Sequence, residues 1–133
     1  MPTVLIVDDD IAMREALSEA VRDLGHDVLE AATGEIALSV VGQETVNAVI
    51  LDLRMPGIDG LEVLRQLRTR TVPLPVAVLT AYANANNTIE AMRLGAFDHL
   101  TKPIGRTDLV RVLNGMLATN TAQVKSLDNL SSG

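Results

Sequence analysis

The chain has 133 residues, 47% of them apolar, no cysteine, and 17 acidic against 11 basic side chains, for a formal charge of −6. This length and apolar fraction predict one domain with its own core, and the missing cysteines exclude disulfide staples and thiolate metal sites and fit a reducing cytosol. The negative charge opposes binding to a phosphate backbone, and with Phe97 and Tyr82 as the sole aromatics there is no stacking platform for single-stranded nucleic acid.

The opening Met-Pro-Thr runs into the strand-like segment Thr3–Val7 with no basic region or cleavage pattern, so a secretory signal is not expected and the cytoplasm is the expected location. Asp8, Asp9 and Asp10 follow. A helical stripe then carries Met13, Leu17, Ala20, Val21 and Leu24, and Gly25 stops it. Asp27–Ala31 is the second strand-like segment, Glu35–Val41 a short apolar helix, and Ala48–Leu53 a third strand that is apolar on both faces. Leu61–Leu67 is a helix with Leu61, Leu64 and Leu67 on one side. Pro75–Thr80 is the fourth strand, Ile89–Leu94 a helix ending at Gly95, and Phe97–Thr101 the fifth strand. In the last helix Leu109, Val112, Leu113, Met116 and Leu117 fall at helical spacing, with Arg106, Asp108, Arg111 and Asn114 opposite. The Thr-, Asn- and Ser-rich stretch Thr119–Gly133 reads as a polar tail or truncated linker, so the functional domain is expected over 1–118. The longest apolar runs fall far short of the roughly 20 residues that cross a bilayer.

Five strands alternating with five helices predict an α/β fold, a doubly wound parallel sheet flanked by helices. In such a sheet ligands collect beyond the carboxyl ends of the strands. Asp8 and Asp9 end the first strand, Asp52 lies late in the third, Thr80 ends the fourth and Lys102 follows the fifth. Three carboxylates gathered there repel one another, and two unit charges about 4 Å apart cost on the order of 4 kcal/mol at an effective dielectric near 20. A hard divalent cation, Mg²⁺ or Mn²⁺, would relieve that, with Asp9 and Asp52 as direct ligands and Asp8 acting through water. A carboxylate beside such an ion can attack a phosphoryl group, while the Lys102 ammonium and the Thr80 hydroxyl suit two of its oxygens.

Each part has an ordinary reading when taken alone. The acidic triplet can cap the first helix, Thr80 can merely end a strand, and Lys102 can be a solvated turn residue. Asp52 in an apolar strand is harder to dismiss, because an unpaired buried carboxylate is costly. The joint placement of all five at strand ends points to a site.

Four segments resemble the response-regulator receiver family: Val-Leu-Ile-Val-Asp-Asp-Asp at 4–10, Leu-Asp-Leu-Arg-Met-Pro-Gly-Ile-Asp-Gly at 51–60, Leu-Thr-Ala at 79–81 and Thr-Lys-Pro at 101–103. The resemblance covers residues 3–118. It implies a flavodoxin-like sheet of order 2-1-3-4-5 and Asp52 as phosphoryl acceptor. It also implies Asp8 and Asp9 as the acid pocket for the metal, with the Arg54 backbone carbonyl as a further ligand. Thr80 would be the switch hydroxyl, Lys102 the phosphoryl contact, and Lys102–Pro103 a cis peptide bond. Such a domain catalyses only its own phosphorylation and dephosphorylation, with a sensor histidine kinase as donor.

One position departs from the family pattern: His99 stands where an aromatic switch ring, tyrosine or phenylalanine, is usual. An imidazole can rotate as such a ring does, but it can also carry a proton in the physiological range. A plain surface histidine is the alternative, and His26, after a helix-ending glycine, reads as a turn residue. Arg54 and Tyr82 occupy positions that border the phosphoryl site and affect dephosphorylation in the family. The stretch Ala91–Pro103 looks most like receivers attached to σ54-dependent AAA+ activators, so an effector domain outside these residues and transcriptional output are expected. A homodimer through the fourth helix, fifth strand and fifth helix is a further expectation. Two other readings stay open. One is a metal-dependent phosphatase of the haloacid-dehalogenase type, although its nucleophile belongs on the first strand and a cap insertion is missing. The other is a stand-alone or degenerate binding module.

Overall fold

The β-branched run at the N-terminus forms β1 (Thr3–Val7), and a five-stranded parallel sheet is built around it in a computed structural model that describes residues 1–118. The remaining strands are β2 (Asp27–Ala31), β3 (Ala48–Asp52), β4 (Val76–Thr80) and β5 (Asp98–Thr101), in the order β2-β1-β3-β4-β5. The helices are α1 (Ile11–Asp23), α2 (Gly34–Gln43), α3 (Gly60–Arg68), α4 (Asn86–Arg93) and α5 (residues 106–118). The tail expected over Thr119–Gly133 lies outside the described residues. Among those described, no helix is long and apolar enough to cross a membrane.

Side chains alternate across a strand, so each central strand feeds two cores. Leu5, Val7, Val49, Leu51, Val76 and Val78 pack under α2, α3 and α4, whereas Val4, Ile6, Ala48, Ile50, Ala77 and Leu79 pack under α1 and α5. β3 and β4 are buried at every position. The two helices on the second face each contribute a stripe at helical spacing: Leu17 and Val21 from α1, Leu109, Val112, Leu113 and Met116 from α5.

Helix starts follow capping chemistry. Asp10 accepts hydrogen bonds from the Ala12 and Met13 N–H groups at 3.0 and 3.2 Å, Thr33 from Ile36 N–H at 3.1 Å, and Asp59 from Glu62 N–H at 2.9 Å. The start of α4 differs, since Ala85 gives no side-chain cap. Gly60 opens α3 directly beneath β3, where a Cβ would lie 2.5 Å from both the Asp52 carbonyl oxygen and Leu53 Cα. In the turn before it, Gly57 adopts φ +79°, which favours glycine. Glu35, in the first turn of α2, accepts from Ile58 N–H at 3.2 Å. Its own backbone N–H and that of Ile58 hold its carboxyl below the usual carboxylate range.

Several boundaries move from the sequence-based expectation. Leu53, Pro75 and Phe97 fall just outside the strands, although each still joins the ladder: Leu53 N–H donates to Leu79 O, Val49 N–H to Pro75 O, and Phe97 N–H to Val76 O. α2 begins one residue earlier and runs two further, and α4 begins three residues earlier, at Asn86. On α3 the inward stripe is Gly60, Val63, Leu64 and Leu67, leaving Leu61 half-buried at the margin.

Candidate functional site

Register brings the chemistry-bearing residues together. Val7 pairs with Leu51, so Asp8 and Asp52, each one residue further, end level on adjacent strands. Neighbouring strands lie about 4.8 Å apart, which sets the spacing of the two carboxylates. Thr80 pairs with Thr101, which puts Lys102 one step beyond on the next strand. Alternation gives Asp52 the sheet face of Ile50, and Lys102 that of Leu100, both on the α1/α5 side. Thr80 takes the other face, with Val76 and Val78, beneath α3 and α4.

Asp8 is fully buried, Asp52 is 5% exposed, and Asp9 is exposed. Carboxylate oxygens of Asp8, Asp9 and Asp52 lie within 4.8 Å of one another. Asp8 Oδ1 accepts from Asp10 N–H at 3.0 Å, but Asp8 Oδ2 is buried without a hydrogen bond. Lys102 Nζ faces it at 3.6 Å, beyond hydrogen-bond reach, and lies 3.5 Å from Asp52 Oδ2. Asp52 Oδ1 accepts from Arg54 N–H at 3.0 Å. Burial, with repulsion from Asp8 adding to it, pushes the Asp52 carboxyl up to about 6 against the pull of Arg54 N–H and Lys102. A buried carboxylate oxygen with no donor, in a set of three carboxylates that a single lysine does not neutralise, fits a hard oxygen-loving cation.

Asp52 also lines a recess of about 90 Å³, together with Arg54, Thr80, Tyr82, Asn87 and Lys102 among others. It is small beside the roughly 300–1,000 Å³ typical of metabolite pockets. Asp8 and Asp9 are not in its lining, so Asp52 is the member of the acid cluster that also faces a space bordered by an ammonium and a hydroxyl.

The structure thus places Asp8, Asp9, Asp52, Thr80 and Lys102 at one rim, with Arg54 and Tyr82 bordering the recess. The Lys102–Pro103 bond is cis. Asp10 separates from its neighbours and is the α1 cap, so the helix-capping reading of the triplet holds for that one residue. His99 does not join the cluster: it pairs with Val78 two rungs below Thr80, and its Nδ1 lies 3.5 Å from Asp98 Oδ1. Sequence reasoning missed Thr88, Asn87 and Ala85. Thr88 is buried on α4, and its hydroxyl lies 2.8 Å from Thr80 Oγ1. The available signal was a polar residue three positions before Ala91, on what becomes the inward stripe.

The chain matches the response regulator receiver domain family over residues 4–114. It is 46% identical over 100 residues to the response regulator protein FleR of Pseudomonas aeruginosa, a match covering 75% of this chain and 21% of that protein. The fold is shared with the chemotaxis response regulator CheY4 of Vibrio cholerae, with a TM-score of 0.81 at 30% identity, covering 88% of this chain and 99% of that one. It is also shared with NtrX of Brucella abortus, with a TM-score of 0.88 at 27% identity, over 96% of this chain and 30% of that one. Against FleR and the response regulator MprA of Mycolicibacterium vanbaalenii, the chain spans about a fifth and a half of the relative's length. A match over nearly the whole described sheet and its helices, with the acid rim at its carboxyl end, places the chain in the response-regulator receiver family.

Proposed function

We propose that Asp52 accepts a phosphoryl group from a sensor histidine kinase and that the acid rim binds Mg²⁺ or Mn²⁺ for this reaction. The observation that carries the reading is the position of Asp52, a buried carboxylate that belongs both to the cluster with Asp8 and Asp9 and to the lining of a phosphoryl-sized recess that Lys102 and Thr80 border. Asp8, Asp9, Asp52 and the Arg54 carbonyl would hold the ion, which when bound supplies charge neutralisation for a transferring phosphoryl group.

The chain's own residues do the rest. An Asp52 oxygen attacks phosphorus, the bond from phosphorus to the donor imidazole nitrogen breaks, and that nitrogen keeps the electron pair. Arg54 N–H holds Oδ1, which leaves Oδ2, on the Lys102 side, as the attacking atom. The Lys102 ammonium and the Thr80 hydroxyl take phosphoryl oxygens. Phosphorylation adds about −1.5 to −2 charge, which draws Thr80 toward Asp52 and shifts the face made by α4, β5 and α5. His99 is the ring that responds on that face. Ile89, Met92 and Phe97 are exposed there beside Arg93 and the Arg111–Asp98 ion pair at 3.1 Å, which suits a homodimer. The output is transcriptional, through a σ54-type AAA+ effector domain outside these residues. This domain acts in the cytoplasm and does not itself contact DNA. The small recess disfavours a phosphatase acting on a metabolite.

Acetyl phosphate with Mg²⁺ tests the reading. Intact mass should rise by one phosphoryl group, and the gain should vanish in Asp52→Asn and in EDTA. Labelling that survives Asp52→Asn, or steady turnover of a small phosphate ester, would overturn it.

A further inference from the structure

Thr88 is 1% exposed on the inward side of α4, where a buried hydroxyl costs free energy unless it is bonded. Its oxygen lies 2.8 Å from Thr80 Oγ1 and 3.0 Å from the Tyr82 carbonyl oxygen. Thr80 Oγ1 lies 3.0 Å from the same carbonyl and accepts from Tyr82 N–H at 3.2 Å. A hydroxyl has one proton and two lone pairs. When Thr88 donates to Thr80 and Thr80 donates to the Tyr82 carbonyl, the Thr80 oxygen is saturated, with two bonds accepted and one given.

The Tyr82 carbonyl has another donor, Ala85 N–H at 3.1 Å, so it is not stranded when Thr80 turns away. Thr80, in contrast, cannot donate to a phosphoryl oxygen while its proton is committed to Tyr82, and turning toward Asp52 also forfeits the bond from Thr88. α4 has little else at this end: it lacks a side-chain cap and buries only Thr88 and Ala91.

We propose that Thr88 is a positioning residue that holds Thr80 in its resting orientation on α4, so that engagement of Thr80 by the phosphoryl group releases the hydrogen bond tying β4 to α4. The second half of this statement rests on the phosphoacceptor reading of Asp52, and the first half does not.

Thr88→Val keeps the shape and removes the hydroxyl, whereas Thr88→Ser keeps the hydroxyl. With beryllofluoride and Mg²⁺ as the probe, Thr88→Val should bind about two- to tenfold tighter than wild type, the range that loss of one net hydrogen bond allows. Thr88→Ser should match wild type, and the gain should disappear in a Thr80→Ala background. Equal or weaker binding by Thr88→Val, or a gain that persists without Thr80, overturns the proposal. Three-bond couplings to the Thr80 methyl read the latch without any ligand: one rotamer is expected in wild type and Thr88→Ser, and averaging in Thr88→Val. An unchanged single rotamer in Thr88→Val, with Thr88→Ala as a second variant should valine distort the helix, overturns the latch itself. Absence of beryllofluoride binding to wild type would instead count against the role assigned to Asp52 and against the coupled release.

Discussion

Asp8, Asp52 and Lys102 project from strand ends onto the α1/α5 side of the sheet, while Thr80 projects to the opposite side and is held by Thr88 and Tyr82. In the first group Asp8 and Asp52 are fixed by the register of β1 on β3, strands buried on both faces, and the group carries uncompensated charge: a buried acid oxygen without a donor and a carboxyl pushed up to about 6. The second group is neutral and fully bonded, and while Thr80 ends the buried strand β4, its partner Thr88 sits on an eight-residue helix with no side-chain cap. Net hydrogen bonds of about 0.5–1.5 kcal/mol are weak enough to exchange, whereas the register of a packed sheet is not. Charge stress sits on the rigid side and lightly held bonds on the other, an arrangement in which electrostatic change at Asp52 can be answered by motion at α4.

The largest expected effect lies at Asp52. In metal-free protein, a carboxyl raised from 3.8 to about 6 binds its proton more tightly folded than unfolded. Its contribution is therefore most favourable below the unfolded value, is lost as pH rises from about 4 to about 6, and leaves a deficit on the order of 3 kcal/mol at neutral pH. Asp52→Asn should remove that deficit, so urea unfolding in EDTA should show the variant gaining stability over wild type across this pH window. A constant difference at every pH would mean that the charged side is not strained.

Lys102→Met should slow phosphorylation by acetyl phosphate by on the order of 100-fold, the scale of losing one charge-stabilising donor, and mass spectrometry against time would measure it. Gly60→Ala drives a Cβ to 2.5 Å from the backbone of Asp52 and Leu53, so β3 or α3 must shift. A loss of about 1–3 kcal/mol in denaturant unfolding is expected. On the lightly held side, Ala85→Ser supplies the missing cap at a residue whose extended backbone suits it, and should add about 0.5–1 kcal/mol. If this variant unfolded no later than wild type, the start of α4 would not be the weak point described here.

The central strands β1, β3 and β4 were legible because aliphatic runs buried on both faces need no partner to be recognised, and the acid rim because Asp52 stands out within such a run. Helix starts were less so. Asn86 and Asn87 carry no apolar signal, and α4 has no capping side chain to mark its beginning. Gly34 at the head of α2 reads as a breaker, yet it fits under Val63 and Ile58, where a side chain would collide. On α3, spacing alone did not decide between Leu61 and Val63 for the core. The largest gap was Thr88, because a threonine within a short polar helix carries no sign that its hydroxyl meets another one eight residues earlier across a turn. Such pairings belong to tertiary packing, not to local pattern.

The level ends of β1 and β3 have a consequence for how such a site can be lost. Removing one residue from inside β3 would leave an aliphatic strand able to pair with its neighbours, but it would turn the Asp52 carboxylate from the α1/α5 layer to the opposite layer. The protein could then keep its sheet and every side chain of the acid rim and still lack the geometry proposed for phosphoryl acceptance.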